Sequence, residues 1–193
     1  MLQCGNAGES EGLRFAPCLA ADGSWAPRRG VLALRAMRPT PLTLDDLAAA
    51  LPAKARLLGV DLGTKTIGLA LSDVERRIAT PLLTLARGQF TRDAQALGEQ
   101  IRKFEVFALV LGLPLNMDGG EGPRVQATRA FVRNFARVDP TPVVFWDERL
   151  STAAVTRAMI GADVSRARRA EIVDQMAAAY ILQGALDRLA RIP

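Results

Sequence analysis

The chain has 193 residues, 49% hydrophobic and 23% charged, with a formal net charge of +5. That composition suits one globular domain with a tail, and the charge permits a nucleic-acid partner without demanding one. There is no histidine, which excludes serine–histidine and cysteine–histidine mechanisms and the usual zinc sites.

Residues 1–40 are rich in Gly, Pro, Ala and Arg and keep no period of 2 or 3.6. They are expected to be a disordered extension, with Met37 an alternative start, leaving residues 41–193 as the folded domain. Cys4 and Cys18 both fall in this stretch, and nothing in their spacing requires a disulfide. No signal peptide is legible, and no apolar run reaches the roughly 18–20 residues of a membrane span. A cytoplasmic protein without membrane contact is the expectation.

TPLTLDDLAAALP opens with Thr43 as an N-cap and places Asp45 and Asp46 in a first helical turn, where carboxylates suit the helix dipole. ARLLGVDL and TIGLALSD read as strands flanking a tight Gly-Thr turn, and IATPLLTLAR as a third extended run. TRDAQALGEQIRKFEV is helical, with Ala94, Leu97, Ile101 and Phe104 on one face and Thr91 as N-cap. FALVLGLPL is a continuous apolar run, as expected of a strand covered on both faces. GPRVQATRAFVRNFARV is amphipathic through Val125, Thr128, Phe131, Val132 and Phe135. TPVVFWDE is another buried strand, and STAAVTRAMIGA and RRAEIVDQMAAAYILQGALDRLA are helices. Three consecutive strands followed by alternating helices and strands predict an α/β fold, a mixed sheet of about five strands flanked by helices.

Asp61 ends the LLGV run and Glu148 follows VVFW. In a mostly parallel sheet the carboxyl ends of strands share one edge, where ligands bind. Asp174 has Ala177, Ala178 and Ile181 as its helical neighbours, so it faces packed structure. Carboxylates gathered against an apolar surface repel one another and are costly to desolvate. A divalent cation such as Mg²⁺ or Mn²⁺ reverses that balance, and a metal-activated water can then hydrolyse a phosphodiester. Each acid also has a plainer reading. Asp61 could cap the LGTK turn, Glu148 could pair with Arg149 or Arg157, and Asp174 with Arg168 or Arg169.

Basic and polar residues supply the other half of a nucleic-acid site. Lys65 lies in the turn beside Asp61, and Arg149 adjoins Glu148. Asn116 stands in a Gly-rich loop before Pro123 and Arg124, where free amides at a helix start could hold a phosphate, unless this is an ordinary strand-to-helix loop. Arg166, Arg168 and Arg169 sit in DVSRARRAE, read as a polar link between two helices and otherwise as a solvated turn.

GVDLGTKTIGLALSD, LVLGLPLNMDGGEGPRVQATRAFVRNF and DERLSTAAVTRAMIGADVSRARRAEIVDQMAAAYILQGALD closely resemble the YqgF/RuvX family, Holliday-junction-resolvase-like proteins of bacteria. The likeness runs from about Leu57 to Asp187. It implies an RNase H-like fold and a metal-dependent nuclease that matures the 5′ end of the small-subunit (16S) ribosomal RNA precursor, or one that cuts branched DNA. By motif it implies Asp61, Glu148 and Asp174 as the metal-binding catalytic acids. Where related resolvases carry an acid after the fourth strand, this chain has LGLPLN and none. Precursor rRNA or branched DNA, and ribosomal precursor particles, are the implied partners of a monomer or homodimer. Two rivals stand beside this reading. DLGTKTIGLAL also resembles the ATP-gripping hairpin of the actin and hexokinase superfamily, but the second lobe and hairpin are missing. A non-catalytic RNA- or ribosome-binding module would retain the same acids for fold alone.

Overall fold

The computed structural model describes residues 41–115, 122–147 and 166–192, and in the last segment side chains only from residue 172. A short helix α1 (Leu44–Ala50) leads into β1 (Arg56–Leu62), β2 (Thr66–Ser72) and β3 (Ala79–Ala86). Helix α2 (Phe90–Lys103), β4 (Val106–Leu113), α3 (Pro123–Val138), β5 (Val143–Asp147) and α4 (Arg166–Leu189) follow. The five-stranded sheet has the order β3-β2-β1-β4-β5. β2 runs antiparallel to β1 and β3, while β1, β4 and β5 are parallel. This is the mixed sheet of five strands flanked by helices that the order of the elements in the sequence predicted.

Alternation along the strands sorts side chains onto two faces. Leu57, Ala70, Ala108, Val110 and Val144 pack with α1 and with Ala178, Ile181, Leu182 and Ala185 of α4. Leu58, Val60, Ile67, Leu69, Leu109 and Leu111 pack with Leu97 and Ile101 of α2 and with Val132 and Phe135 of α3. β4 is therefore buried along its whole length, and its unbroken apolar run needs no polar alternation. Leu42 extends the sheet beyond β5, its amide donating to the Val143 carbonyl at 2.8 Å.

Helix ends follow local chemistry, with two departures from expectation. Thr43 caps α1 in a reciprocal box with Asp46, and Pro123 occupies the first turn of α3. The N-cap of α2 is Gln89 rather than Thr91. The buried Asp93 carboxylate reaches back and accepts from the Gly88 amide at 2.9 Å, so it ties the chain just before the helix to the first turn, and no side chain caps the helix's own first amides. The same helix stops at Lys103, because Glu105 adopts a left-handed backbone (φ 52°) and no helix continues through that conformation. No helix among the described residues is long and apolar enough to cross a membrane.

Candidate active site

The site forms where α4 crosses the carboxyl end of β1. Register pairs Asp61 on β1 with Gly68 on β2, and Gly59 with Ala70. A β-carbon on Gly59 would lie 2.6 Å from the Ala178 carbonyl oxygen and 2.7 Å from Leu182 Cβ. One on Gly68 would collide with the Asp174 carbonyl. Two glycines on the α4-facing side of neighbouring strands therefore let the helix backbone rest on the sheet, and the point of contact at Gly68 is Asp174 itself.

The consequence is electrostatic. Asp61 and Asp174 are both half-buried. The Asp61 carboxyl is pushed up from 3.8 to about 6, first by burial and then by the charge of Asp174, with the Arg124 guanidinium pulling the other way. Thr66 lies on the same face of β2 as Gly68, two residues away, and its hydroxyl donates to Asp174 Oδ2 at 2.7 Å. Gly63 and Lys65 in the β1–β2 turn are held from outside: the Arg87 guanidinium donates to the Gly63 carbonyl, and the Arg87 amide to the Lys65 carbonyl at 2.9 Å.

Of the residues singled out in the sequence, Asp61, Asp174 and Arg124 come together, and Lys65 is exposed in the turn that follows Asp61. The turn-capping role considered for Asp61 is not seen: the Gly63 amide donates to its backbone carbonyl, not to its carboxylate. Glu148, Arg149 and Asn116 lie outside the described residues, as does the helix read over STAAVTRAMIGA. Among the described residues no group of three acids, cysteines or histidines converges; the described part of the site is a pair. Arg166 was expected in a polar link, and Arg168 and Arg169 where that link meets the helix read from RRAE; all three belong to the first turns of α4, since Arg and Ala are strong helix formers. Thr66 was missed. Its one sequence signal is the neighbouring Gly68: glycine inside a strand marks close approach of another backbone.

Two carboxylates this close, with oxygen donors only and no thiol or imidazole, form a donor set suited to a hard divalent cation. The sequence model of the family described as "RuvX: Holliday junction resolvase" matches residues 55–188, a span that holds the whole pair. The chain belongs to the RuvX family. Its relatives include a protein of Methylocella silvestris, 66% identical over 151 residues, covering 78% of this chain and 94% of that one. A Rhodobacter capsulatus protein is 58% identical over 149 residues, covering 77% and 94%. Both carry the description "Putative pre-16S rRNA nuclease". Among solved structures, RuvC of T. thermophilus in complex with a Holliday junction substrate aligns with a TM-score of 0.47 at 16% identity, over 72% of this RuvX chain and 97% of that one.

Proposed function

We propose that this RuvX chain is a divalent-metal-dependent nuclease that hydrolyses phosphodiester bonds in 5′-end maturation of the 16S rRNA precursor. The observation that carries it is the pairing of Asp61 with Asp174 across Gly68. Two carboxylates are set side by side, and the ionisation of one is made costly. The substrate follows from the descriptions its relatives carry.

In this reading Asp61 and Asp174 hold Mg²⁺ or Mn²⁺, and Glu148 joins them from the chain just beyond β5. When bound, the cation offsets the carboxylate charges and supplies Lewis acidity toward water and a phosphoryl oxygen. The protein's own groups do the positioning. Thr66 fixes the rotamer of Asp174 by occupying Oδ2. Gly68 sets the depth of α4. Lys65 and Arg124 flank the pair and draw phosphate toward it. Asn116, Arg149, Arg166, Arg168 and Arg169 are proposed as further contacts to the nucleic-acid backbone, in a protein that works on ribosomal precursor particles in the cytoplasm.

The test is cleavage of a precursor RNA spanning the 16S 5′ end and of a four-way DNA junction, each with Mg²⁺ or Mn²⁺. The RNA is expected to be cut, and cutting to vanish with chelator and in Asp61→Asn. Cleavage of the junction alone would move the substrate to branched DNA, as the family's description has it. Binding of both without cleavage by the wild-type protein would make this a non-catalytic module and end the nuclease reading.

A further inference from the structure

The turn between β1 and β2 is bracketed by the site. Asp61 stands two residues before Gly63, and Thr66, the residue after Lys65, donates to Asp174 Oδ2. Gly63 touches both sides. Its amide donates to the Asp61 carbonyl at 3.2 Å. A β-carbon on it would lie 2.9 Å from the Thr66 carbonyl oxygen and 3.3 Å from Thr66 Oγ1. The Gly63 backbone is therefore the surface against which the Thr66 hydroxyl rests.

A short turn with Thr64 and Lys65 exposed at its tip would ordinarily move more than the strands it joins. This one is tied at two carbonyls by a single residue just past the end of β3. The Arg87 amide donates to the Lys65 carbonyl at 2.9 Å, and the Arg87 guanidinium donates to the Gly63 carbonyl. The amide bond continues the β2–β3 ladder beyond the Thr66–Ala86 pair, and any residue but proline would make it. The guanidinium bond needs a long side chain that donates. Arg87 is half-buried and has no acidic partner among the described residues. Withdrawing such a group from water is unfavourable unless it is hydrogen-bonded, and a bond from a charged donor is stronger than a neutral one. The side chains whose charges act on the Asp61 carboxyl are Asp174 and Arg124, so Arg87 reaches the site through the backbone rather than through its field.

We propose that Arg87 is a positioning residue for the acidic pair: it fixes the Gly63 carbonyl, the fixed turn seats the Thr66 hydroxyl, and that hydroxyl orients Asp174 to share a divalent cation with Asp61. This rests on the metal-dependent reading and adds a residue outside the pair on which cation affinity depends. With a side chain at 87 that cannot donate, the Gly63 carbonyl turns to water and Thr66 samples rotamers that miss Asp174. Cation binding must then order groups that the wild-type protein holds ordered beforehand, and it weakens accordingly.

The experiment measures Mn²⁺ binding by electron paramagnetic resonance, on full-length protein without nucleic acid. Wild type is compared with Arg87→Met, Arg87→Lys, Thr66→Val and Thr66→Val/Arg87→Met. Arg87→Met is expected to raise the half-saturating Mn²⁺ concentration roughly three- to tenfold, up to the lower bound for loss of a metal ligand's outer partner. Removing a positive charge would by itself tighten cation binding, so the sign separates positioning from charge. Arg87→Lys keeps a donor of similar reach and is expected to recover most of the loss. In Thr66→Val the link is already cut, so adding Arg87→Met is expected to change affinity by less than about twofold. Every variant keeps the residue-87 amide bond to Lys65, so the hairpin still closes, and thermal midpoints in chelator monitor folding. Unchanged or tighter Mn²⁺ binding by Arg87→Met, no recovery in Arg87→Lys, losses that multiply in the double variant, or no Mn²⁺ binding by wild type would overturn the assignment. None of these outcomes involves turnover, so the nuclease reading is judged separately by its own cleavage assay.

Discussion

Replacing Asp61 by Asn should make the metal-free protein more stable while destroying its metal response. Burial and the neighbouring Asp174 raise the Asp61 carboxyl from 3.8 to about 6, so at neutral pH the folded protein holds a charge it would rather protonate. A shift of about two units at 1.36 kcal/mol each sets a ceiling near 3 kcal/mol. The site is partly open to solvent, which brings the working value down to about 1–2 kcal/mol. Asparagine keeps the shape and removes the charge. For a domain of this size each kcal/mol is worth about 2–4 °C, so the variant should melt about 2–8 °C above wild type in chelator at pH 7.5. The pH dependence has a definite sign. Between pH 4 and pH 6, roughly, the native state binds the Asp61 proton and the unfolded chain does not, so wild-type stability falls as pH rises through that window. The variant lacks this component. Added Mg²⁺ should raise the wild-type midpoint in proportion to ln(1 + [Mg²⁺]/Kd) and leave the variant unmoved. Calorimetry in chelator and in Mg²⁺ measures both effects. An Asp61→Asn protein that melts below wild type in chelator, or keeps the wild-type pH slope, would refute the reasoning.

The other predictions concern how the pair is held. Gly68→Ala forces a β-carbon against the Asp174 backbone; it should cost about 3 kcal/mol or more in urea unfolding, above the usual range for overpacking because backbone cannot rotate away. Thr66→Val should leave the thermal midpoint within a few degrees but raise the Mn²⁺ concentration needed for half-maximal binding, read by electron paramagnetic resonance. Thr66→Ser, which keeps the donor to Asp174, should restore it, and equal affinity in the valine and serine variants would remove Thr66 as a positioning residue. At the β2–β3 turn the Asp73 carboxylate accepts from the amides of Glu75, Arg77 and Ile78. Those bonds, chiefly that from Ile78, hold its pKa below the ordinary carboxylate value. The stability it contributes should be present at neutral pH and lost only as pH falls through that lowered value, and Asp73→Ala should flatten this acid limb of the wild-type curve. Asp93→Ala removes the acceptor for the Gly88 amide just before α2 and should cost about 1–3 kcal/mol, as leaving a part-buried donor without its partner does.

Periodicity made the sheet and most helices legible, because burial on one or both faces imposes a pattern that a single chain displays. Asp61 was legible for the complementary reason: a charge at the end of an apolar run contradicts the pattern and calls for a function. Asp174 was half legible. Its apolar neighbours on α4 showed that it faces packing, but not that it faces Asp61. Thr66 was not legible, since a threonine in a strand is ordinary until the helix that crosses it is known. The start of α2 misled for a related reason. Thr91 satisfies a local preference, yet the helix starts one residue after Gln89 with no side-chain cap, and the bond that forms there runs from the Gly88 amide to the buried Asp93 carboxylate. Arg166 was placed in a link because charge suggested solvent, so the helix read from Arg168 was begun two residues late, although arginine has strong helix propensity.

Where the carboxylates meet follows from register and side-chain size alone. Asp61 is paired with Gly68, one strand spacing away, about 5 Å. Because residue 68 has no side chain, the space that a β-carbon would fill beside Asp61 is taken by the backbone of α4, and the residue of α4 that takes it is Asp174. A larger residue at 68 would lift the helix and separate the acids. A one-residue slip of β2 against β1 would place Ile67 or Leu69 there instead and turn the α4-facing surface of β2 inside out. The hydrophobic faces that enforce register therefore also hold the two charges together. Repulsion between them is the electrostatic cost that a bound cation would offset.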